Sequence, residues 1–188
     1  TVLRTIIVPL DGSVLAERAV SYASALARGF GARLVLLRVA SPLDDQADPA
    51  HDRDILNYLE GAAIRTRARG VDADTAVYNG HFSDVGLVIA DAVRDRKADL
   101  VVMSSHGRGG AGRWIYGSVT DQVLRTAEVP VLVISGGDER PWPGEWPFRV
   151  VVPLDGSSLA EEVLPPLREL VTGLPVEFHL LRVVEPQS

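Results

Sequence analysis

The sequence predicts a doubly wound α/β domain followed by a partial second copy of the same fold. Short continuous apolar runs alternate with helix-length segments through the first 135 residues, the pattern of a parallel sheet covered by helices on both faces. Residues 148–188 then match residues 4–44 at a constant offset of 144, without a gap, which indicates an internal duplication. We therefore expect five strands alternating with four helices, and then a further β-α-β segment.

The first β-α-β unit is the easiest to assign. The apolar run Thr5–Pro9 predicts a strand buried on both faces. Ser13 supplies a helix N-cap, and Glu17 lies one turn further on, where a carboxylate suits the positive end of the helix dipole. Apolar residues at helical spacing continue to a glycine stop signal at residues 29–31. A second apolar run, residues 34–39, completes a crossover that implies parallel strands.

The same alternation continues to residue 134. After a loop over residues 40–50, we expect helices over 52–69, 84–96 and 119–126, and strands over 71–78, 99–103 and 129–134. Residues 136–147, rich in glycine and proline, predict a linker in which Trp142 and Trp146 cover an apolar patch. The chain thus divides into a complete domain (1–135), the linker (136–147) and the start of a second domain (148–188).

Composition and charge argue against several classes of function. A formal net charge of -6 disfavours a nucleic-acid surface, and no apolar run approaches the ~20 residues that span a bilayer. Cysteine is absent, which excludes disulfides and thiolate metal sites. The four histidines show no paired spacing, so we expect no metal site in the protein itself. These features predict a cytoplasmic protein without nucleic-acid or membrane partners.

The candidate binding site is a glycine-rich segment between the fourth predicted strand and the next helix. It has five glycines in the eleven residues from Gly107 to Gly117, and Ser118 opens the helix. Glycines let the backbone approach an anion closely, and the free N–H groups at a helix N-terminus favour phosphate. Arg108 and Arg113 are placed to reach outer phosphates. The segment also lies beyond the carboxyl ends of the strands, where open α/β sheets bind their ligands.

The hexapeptide VPLDGS occurs twice, at residues 8–13 and 152–157. It resembles half of the haloacid-dehalogenase phosphatase motif, but that chemistry needs a nucleophilic aspartate where this chain has Pro9. No nucleophile–base pair or general acid/base dyad accompanies it. We interpret the hexapeptide as a strand-to-helix turn and expect no efficient catalysis.

The glycine segment gives the chain a family resemblance. Ser104, Gly107, nine further residues and then Gly117–Ser118 resemble the nucleotide-binding signature of the universal stress protein family: Gly-x-x-Gly, nine residues, then Gly-Ser or Gly-Thr. The stretches SSHGRGG, GSVTDQVL, VPVLVI and VPLDGS also resemble that family. One departure is Ser104, which replaces the first signature glycine; its side chain narrows the site and brings a hydroxyl donor.

The resemblance implies an adenine-nucleotide alpha-hydrolase-like, Rossmann-like sheet of strand order 3-2-1-4-5. It also implies bound ATP, with or without Mg²⁺, and a homodimer joined through the fifth strand or a pseudo-dimer with the second unit. Carried over by position, the implied nucleotide-binding residues form three groups. They are Pro9, Asp11 and Val39 at the adenosine, Met103, Ser104 and Gly107 at the ribose and first phosphates, and Gly117, Ser118 and Val119 at the remaining phosphates. Arg108 and Gly109 of the glycine segment complete the implied set.

Two classes of function stay open on the sequence. The first is an ATP-binding universal stress protein that acts in stress response or signalling through nucleotide-dependent dimerisation or partner binding. The second is a nucleotide-free dimeric interaction module of the same fold. The glycine segment favours the first class, because a module without a ligand has no need of five glycines there. The choice between ATP, AMP and cyclic AMP stays open as well, and at most we expect slow ATP hydrolysis.

Overall fold

A computed structural model describes residues 3–40, 49–105, 117–135, 148–172 and 176–184. The chain forms two compact units. The first unit comprises Leu3–Trp142, and the second comprises Pro143–Ser188. A short 3-10 turn, Phe82–Asp84, precedes the third helix of the first unit. The elements of that unit are β1 (Thr5–Pro9), α1 (Val14–Phe30), β2 (Arg33–Ala40), α2 (Pro49–Arg67), β3 (Ala73–Asn79), α3 (Val85–Arg96), β4 (Leu100–Ser104), α4 (Ser118–Thr126) and β5 (Val131–Ile134).

The five strands of the first unit form one parallel sheet of order β3-β2-β1-β4-β5, which confirms the expected order. Thr5 lies opposite Arg33 across β1 and β2, and Ile6 lies opposite Leu100 across β1 and β4. The direction of strand addition reverses between β1 and β4. The carboxyl ends of these two central strands therefore border the crevice where doubly wound sheets bind ligands.

The central strands form the core, and their burial explains their unbroken apolar sequences. Ile6, Ile7, Leu36 and Val101 are fully buried, because helices cover both faces of a parallel sheet. On one face, Ile7 and Val101 belong to a core cluster with Ile89 and Val93 of α3 and Val123 of α4.

Helix α1 begins and ends through local interactions that the sequence predicts. The Ser13 hydroxyl accepts the N–H of Ala16 at 3.1 Å. Gly31 has φ of 66° and donates its N–H to the carbonyl of Ala27, the left-handed helix end that glycine adopts without a steric cost. Gly29 lies inside the helix, so Gly31 provides the stop signal.

Several predicted boundaries differ from the structure by one to three residues, and two of these differences involve a proline. Helix α2 begins at Pro49, within the predicted loop, because proline at the first helical position loses no intrahelical hydrogen bond. Strand β5 begins at Val131, two residues later than predicted. Pro130 has no N–H to donate to a ladder, although its carbonyl accepts the N–H of Val101 at 3.1 Å. The predicted linker, with Trp142 and Trp146, lies outside the described residues.

The second unit contains β6 (Phe148–Pro153), α5 (Ser158–Glu161), α6 (Leu164–Leu170) and β7 (Val176–Leu181). Strands β6 and β7 are parallel, and their register is that of β1 and β2 shifted by 144 positions. The single helix predicted between them is divided into α5 and α6. Pro165 and Pro166 open α6, because a proline is tolerated in the first turn of a helix and breaks its interior.

Candidate functional site

Three segments of the first unit lie at the carboxyl edge of the sheet. They are the turn after β1 (residues 10–13), the end of β4 (residues 104–105) and the start of α4 (residues 117–119). Pairing of β1 with β4 brings the first two together, and the N–H of Gly117 donates to the carbonyl of Ser105 at 2.9 Å. Gly107, Arg108, Gly109 and Arg113 lie outside the described residues.

The turn after β1 is held by its own side chains. The Asp11 carboxylate accepts the N–H of Ser13 at 2.9 Å, and the Ser13 hydroxyl in turn caps α1. Gly12 has φ of 82°, a backbone conformation that favours glycine. The N–H of Leu10 donates to the carbonyl of Leu37 at 2.8 Å. One oxygen of Asp11 is thus used by the turn itself, as an Asx turn requires.

The same turn recurs in the second unit. Asp155 accepts the N–H of Ser157 at 2.8 Å, the Ser157 hydroxyl accepts the N–H of Ala160 at 3.1 Å, and Gly156 has φ of 89°. The hydroxyl and backbone N–H of Ser157 hold the pKa of the Asp155 carboxyl below its usual value. In both copies the turn is closed by its own aspartate and serine side chains, which supports its interpretation as a strand-to-helix turn.

The start of α4 is fastened to the end of β4 by a buried threonine. The Thr120 hydroxyl, on a residue only 2% exposed, lies 3.1 Å from the carbonyl oxygen of Ser104 and 3.3 Å from that of Ser105, and donates to them. The N–H of Ser105 donates to the carbonyl of Ile134 at 2.9 Å. These bonds hold the first turn of α4 against the carboxyl ends of β4 and β5.

The helix start has backbone donors without an acceptor inside the helix. The first intrahelical bond runs from the N–H of Asp121 to the carbonyl of Gly117 at 3.0 Å. The N–H groups of Ser118, Val119 and Thr120 come before it and have no acceptor within the helix. The N–H of Gly117 is already used by the Ser105 carbonyl. The donors that the described residues offer an anion here are the three N–H groups and the exposed Ser118 hydroxyl.

The predicted adenosine side contains half-buried residues at neighbouring strand ends. Pro9 ends β1, and Val39 lies near the end of β2, opposite Tyr78 of β3. Met103 is 4% exposed and its side chain belongs to the core cluster. Its side chain is therefore part of the packing, and its backbone is what a ligand would meet.

Sequence reasoning missed Thr120 and Ser105. A threonine in the first turn of a helix is common, and nothing in the stretch GSVT marks its hydroxyl as buried. The contact depends on where the crossover places α4 relative to β4, which only the folded chain specifies. For Ser105, the backbone carbonyl carries the interaction, so its side-chain type provides no signal.

Further observations concern the edge of the sheet, potential metal sites and potential membrane-spanning helices. Strand β5 pairs with β4 at one edge of the sheet, and Val131, Leu132 and Val133 are half-buried. The described residues contain no group of three potential metal ligands. Across the same residues, no helix combines the length and the apolar character needed to cross a membrane.

A five-stranded parallel sheet of this order, with a free helix N-terminus at the switch point, defines a doubly wound α/β domain of the nucleotide-binding type. The model of the universal stress protein family matches residues 3–135. The chain belongs to the universal stress protein family.

Comparisons with individual proteins agree with this assignment. A universal stress protein of Thermus aquaticus is 31% identical over 137 residues, which cover 70% of this chain and 98% of that protein. A universal stress protein solved in complex with cAMP has a TM-score of 0.58 and 25% identity, covering 72% of this chain and 98% of that one. The Archaeoglobus fulgidus universal stress protein in complex with dAMP, at 19% identity, shares the fold with a TM-score of 0.57, covering 71% and 98% of the two chains.

Proposed function

We propose that the first unit binds an adenine nucleotide, ATP with or without Mg²⁺, and acts in stress response or signalling. One observation carries the proposal: the N–H groups at the start of α4, which have no acceptor within the helix, are held at the switch point by Thr120 and Ser105. A helix N-terminus fixed in this place favours phosphate through its donors and its dipole. The 25%-identical relative that was solved with cAMP supports an adenine nucleotide as the ligand.

In this proposal the phosphates lie on Ser118 and Val119, and the adenosine lies against Pro9, Asp11 and Val39. The Ser118 hydroxyl is exposed and adds one donor to the backbone N–H groups. Gly117 offers the phosphate no donor, because its N–H already donates to the Ser105 carbonyl. Its contribution is the space left by the missing side chain. The family resemblance assigns Met103 and Ser104, at the end of β4, to the same ligand, together with Gly107, Arg108 and Gly109, which lie outside the described residues.

The thermal stability of the protein with and without nucleotide tests the site. Millimolar ATP raises the Tm of the starting protein, because a ligand that binds only the folded state stabilises it. Gly117→Val combined with Ser118→Ala abolishes the shift, since a β-branched side chain fills the phosphate space. Ser158→Ala is the control, because Ser158 also holds the first position of a helix, in the second unit and outside the candidate nucleotide site.

Mass spectrometry of nucleotide released from the denatured, purified protein identifies the ligand. Release of ATP, AMP or cyclic AMP from the starting protein but not from the double variant is the expected result. A melting curve that millimolar ATP, AMP and cyclic AMP all leave unchanged contradicts the proposal. That result favours the second candidate function, a nucleotide-free interaction module.

We propose, further, that the protein self-associates through β5 and that nucleotide controls this association. The half-buried apolar residues of this edge strand, Val131–Val133, leave a row of backbone donors and acceptors for another strand, either from a second copy or from a completed second unit. Sedimentation with and without ATP tests this. A monomer at every concentration contradicts the homodimer, and Leu132→Lys disrupts a dimer that does form.

The second unit is, in our proposal, the start of another domain of the same family. Its support is the shared register of β6–β7 and β1–β2, together with the repeated Asp-Gly-Ser turn. Exchanging residues 148–184 for 4–40 in the first unit tests the equivalence. The chimera folds if the two segments encode the same β-α-β element.

A further inference from the structure

The side chain of Arg38 links the carboxyl ends of β1 and β2. The Arg38 Nη1 donates to the main-chain carbonyl of Leu10 at 3.2 Å. The backbone pairing of the two strands ends at Pro9 and Leu37, and the Leu10 N–H donates to the Leu37 carbonyl at 2.8 Å. Both polar groups of the Leu10 main chain are therefore bonded to the end of β2, one through the backbone and one through the arginine.

This bond lies in a sheltered part of the fold. Arg38 is half-buried, and Leu10 is only 4% exposed. A carbonyl with little access to water costs free energy unless a donor meets it, and a charged donor forms a stronger hydrogen bond than a neutral one. Arg38 therefore helps to fix Leu10, and Asp11 follows Leu10 directly in the chain.

The Arg38 guanidinium also shares an electrostatic environment with Asp11. Val39, the next residue of β2, packs against the core cluster on the α3–α4 face, so Arg38 lies on the other face of the sheet, because side chains alternate along a strand. Burial and the carboxylates of Glu17 and Asp11 raise the pKa of the Tyr58 hydroxyl, and the Arg38 guanidinium opposes that rise. Arg38 and Asp11 thus act on the same hydroxyl of α2, from the end of β2 and from the turn after β1.

An arginine contacts the equivalent turn in the second unit. Arg182 is the position of Arg38 shifted by 144 residues. A Cβ at Gly156 would lie 3.3 Å from the Arg182 Cζ, so this guanidinium packs directly on the Asp-Gly-Ser turn. An arginine at the end of the second strand is therefore a partner of the turn in both units. In the first unit the same turn also belongs to the proposed nucleotide site, where its position has a further consequence.

We propose that Arg38 is a positioning residue for the adenosine side of the nucleotide site. The proposed walls of that side are Pro9 and Asp11 at the end of β1 and Val39 at the end of β2. Arg38 fixes the separation of these walls through Leu10, and a ligand that fits between two walls loses affinity when their separation changes. This inference rests on the proposed function and adds to it a residue outside the nucleotide-binding signature.

Isothermal titration calorimetry of the full chain tests the proposal, with ATP in one arm and inorganic tripolyphosphate in the other at constant ionic strength. Tripolyphosphate lacks the adenosine, so it meets only the phosphate side of the proposed site. Arg38→Met removes the hydrogen bond to Leu10 and keeps a long unbranched side chain. We expect this variant to weaken ATP binding about 3- to 20-fold, the range for a residue that acts on a ligand through another group. We expect its affinity for tripolyphosphate to be unchanged.

Arg33→Met is the matched control for Arg38→Met. Arg33 also lies on β2 and also bonds β1, since its Nε donates to the Thr5 hydroxyl oxygen at 3.3 Å. It lies at the amino end of the strand, away from the carboxyl edge where the site is proposed. This variant carries the same charge change and leaves ATP affinity unchanged. Arg38→Lys keeps a cation and a donor, and it restores part of the ATP affinity that Arg38→Met loses.

Amide hydrogen exchange reports on the turn in the absence of any ligand. The Ser13 N–H, which the Asp11 carboxylate accepts at 2.9 Å, exchanges faster in Arg38→Met than in Arg33→Met, because the turn is less well fixed. Urea unfolding of both variants shows whether each one is folded under the conditions of the titrations. Exchange that is faster at Ser13 in a folded variant separates a local change of the turn from a general loss of stability.

Three results would overturn the proposal. The first is an ATP affinity of Arg38→Met equal to that of the starting protein. The second is an equal loss of affinity for ATP and tripolyphosphate, which means that Arg38 acts through its charge alone. The third is unchanged exchange at Ser13. The proposed function survives all three, because the starting protein still binds ATP in each. A starting protein that binds no ATP contradicts the proposed function itself and removes this inference with it.

Discussion

The hydroxyl of Thr120 donates to the main-chain carbonyl of Ser104 across 3.1 Å. This bond joins the first turn of α4 to the last residue of β4. Thr120 is buried, and its hydroxyl also lies within hydrogen-bond distance of the Ser105 carbonyl. Thr120, a residue outside the nucleotide-binding signature, thus acts together with the bond from the Gly117 N–H to the Ser105 carbonyl to fix the helix N-terminus at the switch point.

Replacing Thr120 by valine tests this anchor. The variant leaves two buried carbonyl oxygens without this donor, and we expect it to lose about 1–2 kcal/mol of unfolding free energy. We also expect a smaller ATP-induced rise in Tm, because the phosphate donors at Ser118 and Val119 are less well fixed. Urea unfolding followed by circular dichroism measures the first effect, and thermal melting with ATP measures the second.

Thr126→Val is the matched control for Thr120→Val. The Thr126 hydroxyl donates within its own helix, to the Gln122 carbonyl at 2.7 Å, and does not join α4 to the sheet. Its removal costs less than about 1 kcal/mol and leaves the ATP response intact. Equal losses of the ATP response in both variants would show that Thr120 has no special part in the site.

Replacing Gly86 by alanine lowers the unfolding free energy, whereas replacing Gly29 by alanine raises it. A Cβ at Gly86 would lie 2.6 Å from Gln122 Cβ and from its Oε1, the atom that accepts the Gly86 N–H at 2.8 Å. Gly86→Ala therefore separates α3 from α4 and costs about 1–3 kcal/mol. Gly29 has nothing within 4 Å of its Cβ position, so Gly29→Ala stabilises α1 by about 0.4–1 kcal/mol. Urea unfolding measures the change in unfolding free energy for each variant. If both changes have the same sign, the packing argument is refuted.

Tyr58 and Tyr78 differ in what their hydroxyl groups contribute. The Tyr58 hydroxyl is buried without a well-formed hydrogen bond, and burial together with the Glu17 carboxylate raises its pKa. Tyr58→Phe is therefore neutral or stabilising, by up to about 1 kcal/mol. The Tyr78 hydroxyl donates to Asp95 and accepts from Arg96 Nε, and Tyr78→Phe costs about 0.5–1.5 kcal/mol. Chemical denaturation measures the unfolding free energy of both variants. A larger loss for Tyr58→Phe than for Tyr78→Phe would contradict this assignment.

Asp155 makes the turn of the second unit sensitive to acid. Ser157 lowers the pKa of this carboxyl in the folded state. The stabilisation is therefore present above the pKa of the unfolded state and is lost as pH falls through the folded-state pKa. A ¹³C NMR titration of the Asp155 carboxyl checks the direction. Ser157→Ala raises the pKa toward its usual value, whereas the neighbouring Ser158→Ala leaves it unchanged.

Much of the fold follows from local sequence patterns. Continuous apolar runs predict β1, β2 and β4, and helical spacing with Ser13 and Gly31 predicts α1, because these signals act over only a few residues. The boundaries at Pro49 and Pro130 were harder to predict. A proline terminates some elements and begins others, and its role depends on which carbonyl or amide its neighbours use.

The sequence by itself determined the element order, the repeated VPLDGS hexapeptide with its self-contained Asp-Gly-Ser turn, and the family. Each of these depends on residues near one another in the chain or on direct comparison of its segments. Only the tertiary structure decided that Thr120 anchors α4 and that the Gly117 N–H donates to the Ser105 carbonyl. These contacts join different elements, and their geometry is set by strand register and by the packing of the crossover helices on the sheet.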